Sequence, residues 1–212
     1  NGAYYRVQIS SMDLFDVLIE DVTLIPGVLD HTATSLQDGR YYWRVCAYDD
    51  VDVQGAWSEI WSFKIDTVPP SVPAVLKPAD GVLVQTTTPK LVLAAVSGAR
   101  LYHFQVAADK DFLTLLAENT SVSAQDGKAA YRVTAAEALP FGRVYWRARA
   151  VDAAGNTSAW TAVRAITVNI LKTPSNKTNT TSQKPTFTWS PAAGAQQYRM
   201  QISSTAEFNV DN

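Results

Sequence analysis

One short pattern occurs three times at nearly constant spacing: YYRVQIS at 4–10, LYHFQVA at 101–107 and QYRMQIS at 197–203. Tyr5, Tyr102 and Tyr198 are 97 and 96 residues apart, and Phe15, Phe112 and Phe208 each follow their Tyr by ten. A second pattern, YYWRVCAYD at 41–49 and VYWRARAVD at 144–152, repeats at an offset of 103, which Leu36/Leu139 and Trp57/Trp160 share. Pro78/Pro174 and Pro89/Pro185 return to 96, so six extra residues fall between Phe112 and Leu139 in the middle copy. A unit of about 100 residues that recurs must bury its own core, which makes the chain a tandem array of small domains. The expected boundaries are 1–68, a partial repeat lacking its first two strands; 69–168, a complete repeat; and 169–212, the N-terminal strands of a third.

Inside each unit apolar residues recur every second position. Tyr102, Phe104 and Val106 alternate with His103 and Gln105; Val144, Trp146, Ala148 and Ala150 alternate with Tyr145, Arg147 and Arg149; Trp61, Phe63 and Ile65 alternate with Ser62 and Lys64. A period of two places one face of a strand on a core and the other in solvent. Turn residues separate the runs at Ser97-Gly98, Gln125-Asp126-Gly127 and 152–156. Helix signal is confined to one short turn at 134–138. The fold class is therefore all-β: tandem antiparallel β-sandwich domains, one complete and two partial, with Tyr102, Phe104, Val106, Val144, Trp146 and Ile166 in the middle core.

The order of features resembles fibronectin type III domains, in the variant strung along large bacterial and archaeal surface and secreted proteins. The residues that carry the resemblance are Val68-Pro69-Pro70 at the entry, Trp189 in the third copy's early strand, the three Tyr-strand residues Tyr5, Tyr102 and Tyr198, and Leu36 with Tyr41/Tyr42 and Leu139 with Tyr145 at the family's corner motif. The resemblance implies an immunoglobulin-like sandwich and an extracellular or cell-surface location. It specifies fold rather than activity. The middle copy has Leu93 where the third has Trp189, and no Arg-Gly-Asp is present to carry integrin-type adhesion.

Composition narrows the function classes. Lys+Arg 18 against Asp+Glu 20 gives a net charge of −2, with no basic run to neutralise phosphates, so nucleic acid is not an expected partner. Charged residues are only 18% of the chain, and 20 Thr and 15 Ser supply the polar surface instead. No apolar stretch reaches the roughly 18 residues of a membrane helix, and Asn1-Gly2-Ala3-Tyr4 begins no signal peptide. One Cys and two His exclude a disulfide within the chain and leave little for a zinc site, so no cofactor and no metal are expected.

Few residues invite chemistry. His31 and His103 lie near no nucleophile motif and read as surface or edge residues. Cys46 is expected on an outer sheet face, inert unless it is exposed and activated. Asp49, Asp50 and Asp52 fit either a calcium site or a self-capped turn, and the middle copy keeps only one of the three acids, as Asp152. Asp109 with Asp111, and Glu59 near Asp66, read as solvated acids, because a filled sandwich lacks a glycosidase cleft. The outward faces carry Arg6, Gln8, Tyr42, Arg44 and Tyr48 in the first repeat and Tyr145, Arg147 and Arg149 beside His103 and Gln105 in the second. They suit either a recognition surface or cross-strand packing. Asn-x-Ser/Thr triplets make Asn119, Asn156, Asn176 and Asn179 candidate glycosylation sites. Phe187 and Trp189 lie on the strands that the first repeat lacks and are candidates for donation to another copy.

The expected role is a non-catalytic repeat array of an extracellular surface protein, stalk or fibre, with head-to-tail assembly as one mode. The alternative is a carbohydrate-binding or spacer module of a secreted glycan-degrading enzyme. Expected partners are neighbouring repeats or further copies of the chain, with glycans and other surface proteins next.

Overall fold

The computed structural model describes residues 4–205, and Phe208 lies outside them. All regular structure among these residues is strand, in two units that divide between Val68 and Pro69.

The first unit is a single sheet. Its strands are β1 (Tyr4–Ser10), β2 (Leu18–Thr23), β3 (Gly39–Tyr48), β4 (Gln54–Trp57) and β5 (Trp61–Ile65). The order is β2-β1-β3-β4, and β5 continues along β3 beyond β4, so β4 and β5 act as two halves of one interrupted strand. Alternation places Tyr5, Val7, Ile9, Trp43, Val45 and Phe63 on one face, around an open apolar cleft of about 610 Å³. On the corner between 36 and 41, the Tyr41 hydroxyl donates to the Gln37 carbonyl at 2.9 Å.

The second unit contains a closed sandwich. It begins with β6 (Val75–Lys77), β7 (Val82–Val84), β8 (Lys90–Ala94), β9 (Ala99–Ala107) and β10 (Leu115–Val122). It continues with β11 (Ala124–Gln125), β12 (Lys128–Arg132), β13 (Gly142–Asp152) and β14 (Arg164–Val168). One sheet has the order β10-β9-β13-β14-β7 and the other β11-β12-β8-β6. Not every pairing is antiparallel: β7 runs parallel to β14, because the chain crosses between sheets after β6 and adds β7 at an edge. The β11–β12 hairpin turns at Asp126 and Gly127, both at positive φ (50° and 71°), as a two-residue loop with the strands' own twist requires. At 134–138 there is one hydrogen-bonded turn, closed by the Glu137 amide on the Thr134 carbonyl.

The six residues expected in the core are all there, none more than 1% exposed. Leu91 and Leu93 of β8 and Tyr131 of β12 close over them from the facing sheet. Phe104 lies 5.7 Å from Tyr131 and 6.5 Å from Trp146, ring centre to ring centre. Tyr102 is fully buried, yet its hydroxyl is satisfied by the Val96 amide at 2.7 Å. The corner differs from the expectation. Val144 stands where the first unit has Tyr41, so no corner tyrosine forms, and Tyr145 turns outward beneath Arg143.

Beyond the sandwich, β15 (Leu171–Thr173) pairs with β16 (Thr188–Trp189), 96 residues after β6 and β8. The Tyr198 hydroxyl accepts the Ala192 amide at 2.7 Å, repeating the Tyr102 contact. The run at 197–203 forms no strand, contrary to its alternation, because no strand among the described residues pairs with it; Met200 and Ile202 stay exposed.

Trp146 Nε1 is buried without a hydrogen-bond partner among the described residues. Trp146→Ala is expected to cost about 3–5 kcal/mol through the cavity it leaves. Trp146→Phe should cost much less, since it keeps most of the ring volume and removes the orphan donor. Urea denaturation of both variants measures the difference; equal losses would place the ring outside the core.

Candidate functional site

The outward face of β9 and β13 gathers the polar and aromatic residues that the repeat holds at fixed offsets. In the first unit the Arg44 guanidinium lies between two rings, 4.0 Å from the Phe15 centroid and 4.3 Å from Trp57. In the second, Arg147 lies 4.0 Å from Phe112 and 4.3 Å from Trp160. Each guanidinium also donates through Nε to a Gln on the adjacent strand, Gln8 or Gln105, at 3.0 Å. That Gln in turn donates to an acid one strand further out: Gln8 to Asp21 at 3.1 Å, Gln105 to Glu118 at 2.8 Å. Acid, Gln, Arg and Trp thus run across the sheet, with Phe folded over the Arg.

Local structure builds each part. Phe15 and Phe112 both adopt positive φ, 59° and 61°. That conformation costs a bulky residue roughly 1–3 kcal/mol, and it is held by a turn in which the Phe amide bonds the carbonyl three residues earlier. In the second unit Asp109 reinforces the turn by accepting the Asp111, Leu113 and Thr114 amides, and these bonds, led by Leu113, hold its carboxyl below the usual range. The residue after each Trp anchors the other side. Ser58 Oγ accepts the Val45 amide at 3.1 Å, and Thr161 Oγ1 accepts the Ala148 amide at 3.1 Å.

The surroundings of this ladder differ between units. Arg6 makes a two-pronged pair with Asp21, 2.6 Å at each contact, and Tyr48 stacks on Tyr4 at 4.8 Å while donating to Gln54. His103 replaces Arg6 in the second unit. Its Nδ1 accepts Arg149 Nε at 3.3 Å, which places the ring proton on Nε2, 2.7 Å from Glu118. Arg149 also covers Trp160 at 4.5 Å, so His103 is buried rather than a surface residue. His31 pairs with Glu20 at 2.6 Å. Hydrogen bonds from Gln105 and then His103 hold the Glu118 carboxyl below its ordinary range, and Arg6 followed by Gln8 does the same for Asp21. Burial, then Arg149, lowers Arg147.

The recognition candidates Arg6, Gln8, Arg44, Tyr48, Arg147 and Arg149 therefore each bond a side chain of the same sheet, Asp21, Gln8, Gln54, Gln105 or His103 among them; Tyr42 and Tyr145 lie half-buried beside them. Cys46 sits on this outer face as expected, but beneath its neighbours: it is 2% exposed, and burial pushes its thiol upward. Of the acids at 49–52, Asp49 caps the loop and Asp52 accepts the Tyr4 hydroxyl at 3.1 Å. Asp49 Oδ1 accepts the Val51 and Val53 amides, as Asp152 Oδ1 accepts those of Ala154 and Asn156. Among the sequon residues, Asn156 donates to Asp152 and Asn119 accepts the Ser121 amide, while Asn176 and Asn179 stand exposed between β15 and β16. Phe187 and Trp189 flank that loop's far end, Trp189 against Tyr198 at 5.5 Å. The Phe–Arg–Trp convergence was missed from sequence, although the signal was present: Trp follows Arg by 13 residues in both copies.

No protein-family model and no curated protein matches the chain. Among solved structures it is similar to the fibronectin(III)-like modules of Clostridium thermocellum CbhA, at 13% identity over 77% of each chain with a TM-score of 0.46. It is also similar to CopC from Methylosinus trichosporium OB3b, at 14% identity over 46% of this chain and 93% of that one, TM-score 0.33.

Two outcomes follow from the ladder. Arg147→Met should lose about 2 kcal/mol in chemical denaturation, since two ring contacts and a hydrogen bond go together, and Arg147→Lys should recover less than half of it. Asp21 and Glu118 have folded values below their unfolded ones, so the unfolded chain binds protons first as pH falls. Their contribution is complete above the ordinary carboxylate range and is lost as pH drops through the lower folded values. Denaturation midpoints measured from pH 7 to pH 3 should fall in that window, and less steeply for Glu118→Gln.

Proposed function

We propose that the chain is a non-catalytic stretch of an extracellular array of sandwich domains, a stalk, fibre or surface-layer component that spaces other groups. The observation that carries this reading is the ladder built twice, with the same five roles, acid, Gln and Phe at an offset of 97 and Arg and Trp at 103, and with acid, Gln and Arg bonded in series. A repeated unit that satisfies its own outer face serves spacing and stiffness rather than turnover. Pro69-Pro70 at the junction restricts the backbone there. No helix among the described residues is long and apolar enough to cross a membrane. An antibody against the chain should label intact source cells without permeabilisation; labelling only after permeabilisation overturns the extracellular reading.

Head-to-tail assembly is favoured by one further observation. The apolar face of the first unit lies open, whereas the equivalent face in the second is covered by Leu91 and Leu93 of β8. In this reading β15 and β16 of a neighbouring copy, bearing Phe187 and Trp189, occupy the place of β6 and β8 over that face. The competing source is adjoining sequence of the same chain. Light scattering on residues 1–212 separates them: concentration-dependent polymers that vanish when 169–212 is deleted support donation, and a monomer at high concentration rejects it.

A further inference from the structure

The basic residues of the second unit form no run in sequence, yet the β11-β12-β8-β6 sheet collects four of them on its solvent side. In β8, Leu91 and Leu93 point into the core, which leaves Lys90, Val92 and Ala94 outward. In β12, Ala129 and Tyr131 are buried, so Lys128, Ala130 and Arg132 face out. The register sets Arg132 directly opposite Lys90, and Lys77 of β6 beside Val92. None of the four makes an ion pair among the described residues; Arg132 donates only to the Thr88 carbonyl. Two cations directly opposite each other on antiparallel strands repel.

The fold does not require this arrangement. Ninety-six residues on, around β15 and β16, the position of Lys77 is Thr173, that of Lys90 is Thr186, just before β16, and that of Val92 is Thr188. Thr173 and Thr188 bond hydroxyl to hydroxyl at 2.6 Å, an uncharged rung where the middle unit has a cation. The same backbone thus accepts neutral residues at the Lys77 and Lys90 positions, where the middle unit places cations.

A groove of about 570 Å³ crosses the basic face, with Lys90 and Lys128 on its walls and Ser121, Ser123 and Gln125 along the β10–β11 side. Asp126, at the hairpin turn, is the carboxylate that lines it. Methyl groups of Val92 and Ala130 form the floor, and no aromatic ring lines the groove for a nucleobase to stack on.

We propose that this face binds an acidic polysaccharide, with its carboxylate or sulfate groups between Lys90, Arg132, Lys128 and Lys77 and its hydroxyls toward Ser121, Ser123 and Gln125. A bound polyanion would relieve the Lys90–Arg132 repulsion, and an open groove on a sheet face suits an extended polymer rather than an enclosed small molecule. This binding is independent of the array role and of the Phe–Arg–Trp ladder on the opposite sheet.

Affinity electrophoresis of residues 1–212 through gels containing dextran sulfate, polygalacturonate or neutral dextran tests the assignment, with double-stranded DNA as a competitor. Retardation at least about tenfold greater with an acidic polymer than with neutral dextran is expected, weakening as salt rises. The dextran sulfate and polygalacturonate gels separate sulfate from carboxylate recognition. The double variant Lys90→Thr/Arg132→Thr, which at position 90 takes the residue found at Thr186, should lose most of the retardation while keeping the wild-type denaturation midpoint or raising it. Lys64→Thr, in the first unit, should change nothing. Equal retardation in neutral dextran, an unaffected double variant, or DNA displacing the polysaccharide at equal charge concentration would each overturn the proposal.

Discussion

A guanidinium held between two aromatic rings joins three stretches of chain that lie far apart in sequence. In the second unit it ties the turn after β9, which carries Phe112, to the middle of β13, which carries Arg147, and to the segment before β14, which carries Trp160. Each contact is modest, but their geometry is demanding. The Phe must adopt a left-handed backbone, the Trp must be tethered by the following hydroxyl residue, and the Arg must keep its edge for Gln. That three-way fit recurs at 4.0 and 4.3 Å in both units. It fixes the register of β9 against β13, because a slip of one residue would turn Arg147 into the core and Trp146 into solvent.

Around that fixed centre the two units diverge in ways that show what is free to change. Arg6 and Cys46 in the first unit become His103 and Arg149 in the second. In the first, a bidentate ion pair with Asp21 supports the ladder's acid; in the second, a chain from Arg149 through His103 supports Glu118. Both arrangements end in a carboxylate held by a Gln. The acid's partner is exchangeable, whereas the Gln–Arg contact is not exchanged in either unit.

Much of this was legible before any coordinates. Alternation alone gave the inward side of β9 and β13, since a strand has two faces and the core selects the apolar one. The Asp126-Gly127 turn was legible too, because few residue pairs tolerate two positive φ values in succession. Three features were hidden for distinct reasons. The parallel β7–β14 pairing depends on where a short edge strand lands, which no local pattern encodes. The missing corner tyrosine needed the register at 144 rather than the presence of a nearby Tyr. His103 reads as a surface or edge residue because alternation distinguishes faces but not what covers them, and Arg149 and Trp160 arrive from β13 and the segment beyond it.

The same distinction explains why the basic face escaped a search for charged runs. Strand alternation spaces like charges two apart and interleaves them with core residues, so Lys90, Leu91 and Val92 carry a single charge in sequence. Only sheet pairing brings Lys90 beside Arg132, 42 residues later. Within the sandwich, the β9–β13 face is committed to the ladder and the inward faces to the core. The outer side of β8 and β12 is constrained by neither, and at the Lys77, Lys90 and Val92 positions the third segment carries Thr173, Thr186 and Thr188 instead. A sheet whose inward residues are fixed by the core and whose outward cations form no ion pair among the described residues can change charge on that outward side without disturbing the register, and the proposed polyanion face lies there.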